Sequence, residues 1–384
     1  MRWSVGISAV VAAVVGMGGT VAIPIAAAQA VGATPAQVSS WVAALCLSIA
    51  ITSFWLSFRH RIPIVTAWST PGAALIAASA PGTIGFSAAI GAFVLAGLLI
   101  LLTAAVKPLG RAIERIPTSV AAAMLAGVLI RFVIALFDSA QALPLLVLPL
   151  LLLFLVMRLV SPMGAVLAVL AGGVVLAHLL NLAHPLPADV LGLSTLTFTW
   201  PSFDPAVLIG IGVPLYLVTM ASQNLPGFAV LRAAGYPAPS RSILGVTGLV
   251  STLAAPFGAH ATNAAAITAS ICTGPDAHPD PQKRWLTGLA YAACYVVLAA
   301  FGASLVTLIQ SMPPAFIVTV AGTALAAPFA GALGAAMAVE RDRLAAAFTL
   351  AVTASGVSFF GIGSAFWGLA AGLVIVGLDA LRRR

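Results

Sequence analysis

Apolar runs of about twenty residues follow one another along nearly the whole chain, and the short segments between them carry almost all of its charge. A helical run of that length matches the hydrocarbon thickness of a bilayer. The runs fall at 5–30, 38–58, 62–79, 85–106, 116–137, 142–158 and 162–182. After a segment at 183–204 they resume at 205–232, 240–256, 258–274, 284–308, 313–336, 343–360 and 362–381. With 61% hydrophobic and 7% charged residues, the composition lies far from that of soluble domains. The expected class is an all-α polytopic membrane protein of about fourteen transmembrane spans, held in the lipid bilayer as one integrated unit. The net charge of +8 is dispersed over short loops, so no nucleic-acid partner is expected. Cys46, Cys272 and Cys294 lie in apolar segments at no metal-ligand spacing, which predicts neither a metal site nor a disulfide framework. The apolar run after Arg2 is too long for a signal peptide and is interrupted by Gly18, Gly19 and Pro24, so it reads as the first retained span.

The basic residues fix an orientation. With the N-terminus in the cytoplasm and the spans alternating, the inner segments collect Arg2, Arg59, Arg61, Lys107, Arg111, Arg115, Arg158, Arg232, Arg241, Lys283, Arg284, Arg341, Arg343, Arg382, Arg383 and Arg384. No outer segment holds a lysine or arginine, and Arg131 alone falls within a span. Both termini are therefore expected in the cytoplasm. Seven runs precede the 183–204 loop and seven follow it. An odd number per half predicts inverted repeats, 1–182 and 205–384, separated by an outer loop. Weak echoes agree: Pro24 matches Pro226, and Gly32 with Pro35 matches Gly235 with Pro237. The loop holds three prolines and two aspartates, with a short strand expected at Ser194–Thr199.

The third run of each half is a poor continuous helix. In Phe257–Gly274, Pro256 precedes Gly258, His260, Thr262 and Asn263, and an apolar helical pattern begins only at Ala264. In Arg61–Ser79, Pro63 is followed by β-branched Ile64, Val65 and Thr66, then by Trp68, Ser69, Thr70 and Pro71. Ser69 or Thr70 is suited to cap a half-helix opening at Pro71. A second half-helix is expected to start near Asn263. Irregular backbone at membrane depth survives only where protein or a wet cavity satisfies it. Two interrupted spans at matching places in two halves mark the binding site of a transporter.

Three motifs carry a resemblance: Pro63 to Gly72, Ser222-Gln-Asn-Leu-Pro-Gly227, and Phe257 to Asn263. Over its whole length the chain resembles the benzoate–proton symporter family of bacterial inner-membrane carriers, itself similar to uracil and nucleobase symporters and certain anion exchangers. The resemblance implies a core domain of spans 1–4 and 8–11 and a gate domain of spans 5–7 and 12–14. It also implies short strands in spans 3 and 10, an elevator-like motion of core against gate, and a homodimer. The nucleobase carriers use carboxylates on spans 8 and 10, where this chain has Gln223 and Asn224, and His260 and Asn263. Nucleobase specificity is therefore not expected.

The expected substrate-binding residues are Trp68, Ser69, Thr70, Gln223, Asn224, Thr262 and Asn263. Hydroxyls and N–H groups at a half-helix start suit a carboxylate, amides orient it, and Trp68 offers a wall for a ring. Each has a plainer role as a cap, as a partner for the carbonyl that Pro226 frees, or as packing. No Asp or Glu lies within spans 1–4 or 8–11, which leaves His260 as the candidate for proton coupling; its plainer role is to stay neutral and brace the break. His60, His178, His184 and His278 sit at span ends or in loops and read as interfacial. Arg131 is expected to pair with Asp138, two helical turns on. The expected function is secondary, proton-coupled uptake of benzoate or a similar small aromatic carboxylate, with an anion channel or exchanger as the alternative. Paired carboxylates, metal clusters and phosphate-binding loops are absent from the sequence, so no enzyme, cofactor or primary pump is expected. Reporter fusions within 183–204 should read out on the outer face; a cytoplasmic readout would overturn the orientation.

Overall fold

The computed structural model describes residues 3–18, 20–79, 84–106, 117–161, 164–186, 192–360 and 362–382. Arg2, Lys107, Arg111, Arg115, Arg383 and Arg384, assigned above to the inner face, lie outside them, as do residues 187–191 of the long loop. The described chain is mostly helical. The first half contains α1 (Trp3–Gly18), α2 (Ala22–Ala30), α3 (Pro35–His60), β1 (Thr66–Trp68), α4 (Thr70–Ala77), α5 (Phe86–Ala105), α6 (Thr118–Ala142), α7 (Pro144–Val160) and α8 (Gly164–Leu179). The second contains α9 (Pro205–Ala233), α10 (Ser240–Ala254), β2 (Thr262–Ala264), α11 (Ile267–Thr273), α12 (Trp285–Ala300), α13 (Gly302–Gln310), α14 (Pro314–Met337), α15 (Arg343–Ser355) and α16 (Ser364–Arg382). Among the described residues, seven helical stretches are long and apolar enough to cross a membrane: α1 with α2, α3, α5, α6, α9, α14 and α16. The α12–α13 pair, bent by 58°, makes an eighth, and α7 and α8 are shorter apolar helices.

Local chemistry sets the ends. Thr34 and Gln37 close a reciprocal capping box at the start of α3, with Pro35 in its first turn, and Arg61 ends it in the left-handed region at φ 56°. Pro214 and Pro226 do not break α9. Each follows a π turn, Leu208–Gly212 and Met220–Asn224, where the widened backbone tolerates the missing N–H. α10 runs into the short turn Ala255–Phe257 and stops at Gly258, φ 103°.

α3 packs on α10 and α12, α5 on α10, α1 on α11 and α12, and α2 on α4. α6 packs on α14 and α15, α15 on α16, and α7 on α8. The interrupted segments meet at the middle of this arrangement. β1 and β2 pair antiparallel, with Thr66 opposite Ala264, Ala67 opposite Asn263 and Trp68 opposite Thr262. α4 and α11 therefore leave the ribbon from opposite ends.

Three expectations need correction. The second half-helix does not start near Asn263: Asn263 lies inside β2 and α11 begins at Ile267. Pairing with β1 claims the backbone of Thr262–Ala264, which overrides the helical leaning of the alanines. Ser194–Thr199 forms no strand, because its N–H groups go one by one to separate partners: Ser194 to the Ala300 carbonyl, Thr197 to Ser40 Oγ and Thr199 to the Pro256 carbonyl. The run read as 343–360 is helical only to Ser355, where Gly356 turns the chain at φ 69°.

Gly258 combines a backbone that side chains rarely adopt with close approach to α3. A Cβ there would sit 2.8 Å from Trp41 Cβ. Gly258→Ala should therefore destabilise the protein by about 1–3 kcal/mol, read as a lower melting temperature in detergent. A melting curve matching the parent would refute this role.

Candidate functional site

The ribbon leaves backbone groups that no helix ladder satisfies, and surrounding side chains supply the partners. Ser53 Oγ accepts the Thr66 N–H at 3.0 Å, and Ser57 Oγ donates to the Ile64 carbonyl at 2.8 Å. Thr66 Oγ1 lies 2.6 Å from Thr52 Oγ1 and 2.8 Å from Ser53 Oγ. The Thr66 carbonyl accepts from Tyr291 Oη at 3.2 Å, and Ser251 Oγ accepts the Thr262 N–H at 2.9 Å. α3, α10 and α12 thus each present a polar face to the ribbon inside an otherwise apolar bundle.

α9 braces both interruptions from one side. Thr219 Oγ1 donates to Ser69 Oγ at 2.8 Å, and Asn224 Oδ1 accepts the Ala264 N–H at 2.9 Å. The π turn at Met220–Asn224 and the bare Cα of Gly227 permit this approach, since a Cβ at Gly227 would meet Ala264 Cβ at 2.7 Å. Asn224 Nδ2 turns back to Met220 Sδ at 3.5 Å. Buried Asn224 is thus occupied by backbone and by its own helix. Gln223 beside it is half-buried and has no hydrogen-bond partner among the described residues.

Ser69 caps α4 as its position predicts, accepting the Gly72 N–H at 3.2 Å. Its oxygen accepts twice, from Gly72 and Thr219, so its own hydroxyl hydrogen has no acceptor among the described residues. Thr70 is half-buried, and neither its N–H nor its hydroxyl has a described partner. Trp68 is buried, with Nε1 donating to Thr20 Oγ1 at 3.1 Å and its ring edge-on to Tyr295. Thr262 and Asn263 are fully buried, and Thr262 Oγ1 and Asn263 Oδ1 lack partners.

His260 joins the two halves of the break. Its Nδ1 lies 3.1 Å from Trp41 Nε1, and its Nε2 lies 2.9 Å from the Ser69 carbonyl. Indole N–H only donates and a carbonyl only accepts, so Nδ1 is the acceptor and Nε2 carries the proton. Trp41 and Phe93 flank the ring. Both nitrogens of the neutral imidazole are in use.

The structure therefore gathers Trp68, Ser69, Thr70, Asn224, His260, Thr262 and Asn263 around one ribbon, with Gln223 adjacent. The sequence reading missed Trp41, Thr219, Ser251 and Tyr291. Their signal was present as polar side chains inside spans, but only the fold shows which backbone groups they meet. The expected Arg131–Asp138 pair does not form. The Arg131 Nη1 donates instead to the Ala78 carbonyl at the end of α4, at 2.6 Å. No group of His, Cys, Asp and Glu suited to a metal occurs among the described residues.

Comparison with known proteins fits this geometry. The family model described as benzoate membrane transport protein matches residues 3–378. An inner membrane protein of Escherichia coli, YdcO, is 40% identical over 377 residues, spanning 97% of this chain and 96% of the relative. A benzoate membrane transport protein of Acinetobacter baylyi is 33% identical over 374 residues, 97% of this chain and 94% of the relative. The transmembrane domain of a cyanobacterial bicarbonate transporter, BicA, superposes with a TM-score of 0.61 over 97% of both chains, at 15% identity; that likeness concerns fold alone.

The two adjacent amides should separate on mutation. Asn224→Leu strands the Ala264 N–H and should cost about 1–3 kcal/mol of stability, whereas Gln223→Leu should leave the melting temperature near the parent's. Equal effects on stability would refute the assignment.

Proposed function

The chain belongs to the benzoate membrane transport family, and we propose that it carries benzoate or a similar small aromatic carboxylate across the bacterial inner membrane as a proton-coupled secondary transporter. The observation that carries the reading is the crossed pair of interrupted segments with unused donors at the start of α4. The Thr70 N–H, the Thr70 hydroxyl and the Ser69 hydroxyl are three donors at the positive end of a helix dipole, an arrangement complementary to a carboxylate. Gln223 supplies a further amide, and the Trp68 ring an apolar surface. Thr262 and Asn263 bring buried polar atoms to the same ribbon. α11, with its start displaced to Ile267, contributes through β2 rather than through a capped end.

The fourteen-span inverted repeat belongs to the same proposal. The matching positions of β1–α4 and β2–α11 support it, as does their antiparallel pairing. The packing of α6 with α14 and α15, apart from that of α3 with α10 and α12, supports a gate of spans 5–7 and 12–14 against a core of spans 1–4 and 8–11. An elevator-like displacement of one against the other would carry the ribbon and its ligand as a unit, in a homodimer.

For His260 the hydrogen bonds favour the plainer role. A proton on Nδ1 would face the Trp41 N–H, donor against donor, so protonation would break the brace between α3 and the segment leading into β2. We take His260 to be a neutral positioning residue that braces the break and does not carry the coupled proton. Gln reproduces one donor and one acceptor without titrating.

Proteoliposomes with an imposed pH gradient, inside alkaline, should accumulate labelled benzoate saturably and in competition with other aromatic acids but not uracil. A non-saturating current would point to a channel, and no uptake would sink the transport reading. Thr70→Val, which removes a donor to a charged group at nearly constant volume, should raise the KM by roughly tenfold. His260→Gln should retain accumulation driven by the pH gradient; a mutant that exchanges benzoate but no longer accumulates it would restore His260 as the proton carrier.

A further inference from the structure

We propose that Arg131 is the first point of capture for the substrate carboxylate, a specificity-determining residue at the junction of α4 and α6. This rests on the reading that the chain carries a small organic anion. Arg131 is the one basic residue placed within a span rather than at its inner end. It is half-buried on α6, and its Nη1 donates to the Ala78 carbonyl, which closes α4. The other end of α4 holds Ser69 and Thr70. Eight residues at 1.5 Å per residue put the guanidinium about 12 Å along the helix from those donors. In the proposed orientation this end of α4 faces outward, so an anion entering between α4 and α6 meets Arg131 before it meets Thr70.

The guanidinium is under-used where it stands. It has five N–H donors, and the Ala78 carbonyl is its one hydrogen-bond acceptor among the described residues. The three ion pairs among the described residues, Lys283 with Asp280, Arg341 with Asp342 and Arg343 with Glu340, leave it out. A helix-end carbonyl carries only a fraction of a charge. Partial burial of a cation without a counter-ion is costly, and a carboxylate answers it with two parallel hydrogen bonds. The backbone packs closely beside the planar group. Gly356, at φ 69°, lies against it, and a Cβ there would come within 3.0 Å of Nη1.

Arg284 shows the contrast. It caps α11 through the Thr273 carbonyl at 2.8 Å and also donates to the His278 carbonyl at 2.7 Å. Its partners come from its own loop, so nothing there has to part for the protein to move. Arg131 instead reaches from α6 to α4, two elements that the proposed transport cycle displaces relative to each other. Its bond to Ala78 must open in that cycle, which frees the guanidinium for an incoming anion.

Initial rates of benzoate uptake by proteoliposomes containing the parent, Arg131→Lys and Arg131→Gln test this. Capture predicts that R131Q raises the KM about tenfold or more with Vmax little changed, since it removes a charged donor to the substrate. R131K, which keeps charge without the planar fork, should fall between the two. Melting temperatures near the parent's should accompany both. If R131Q fails to fold, R131K alone decides: a raised KM supports capture and an unchanged KM overturns it. A fall in Vmax with unchanged KM would make Arg131 a structural tie on α4 and overturn the proposal. A parent that takes up no benzoate would fail the transport reading and this inference together, whereas a competent parent with an R131Q of unaltered KM fails this inference alone.

Discussion

A main chain that leaves the helix inside a membrane must find a partner for every N–H and carbonyl it frees, and the rest of this structure follows from how that demand is met. β1 and β2 meet part of that demand by pairing with each other, extended by the Ser69 N–H to the Ala261 carbonyl and the Ala265 N–H to the Val65 carbonyl. The remainder fall to side chains of neighbouring spans. An apolar bundle therefore contains a buried polar seam of Thr52, Ser53, Ser57, Asn224, Ser251 and Tyr291. Those residues set the positions of α3, α9, α10 and α12 around the ribbon more narrowly than apolar packing alone, because a buried group without its partner costs more than an imperfect apolar contact.

The same demand explains which polar residues remain for a ligand. Asn224 and His260, chemically the most conspicuous members of their motifs, are committed to the main chain, one to the Ala264 N–H and the other to the Ser69 carbonyl and Trp41. Thr70 and Gln223, less conspicuous in sequence, keep their donors. A site built this way separates two tasks. Residues committed to the main chain hold the geometry, and in the proposed site their neighbours one position along the chain keep donors for a ligand. The adjacent pair Gln223–Asn224 follows this pattern, and Ser69–Thr70 follows it in part, since Ser69 caps α4 and also keeps its hydroxyl hydrogen free.

How much of this could be read from the sequence depended on the range of the interaction. The interruptions themselves are local, written in Pro63 and Pro71 and in Pro256 and Gly258, and they fall where expected. The Ser69 cap is equally local. The start of α11 was misplaced because the alanines after Asn263 favour helix, while the decisive partner, β1, lies nearly two hundred residues earlier. Asn224 meets Ala264 forty positions away, and no periodicity announces such a contact. Arg131 misled for a different reason. Asp138 shares its helix face but lies two turns off, and a carbonyl on another helix lay within reach.

The two half-helices also differ in how their far ends are held, and this bears on how the site could move. Both leave the ribbon with their positive ends toward it, so their negative ends point to opposite faces of the protein. At α11 the negative end is closed by Arg284 from its own loop, an arrangement that would travel with the ribbon in the proposed displacement. At α4 it is closed by Arg131 from α6, which packs chiefly on α14 and α15. One end of the site is therefore tied within the unit that bears it and the other to a neighbouring set of helices. A displacement of one set against the other would leave the first tie intact and break the second. In the proposed inverted repeat the two halves would thus differ at one hydrogen bond, between a charged donor and a neutral acceptor that an anion would outcompete.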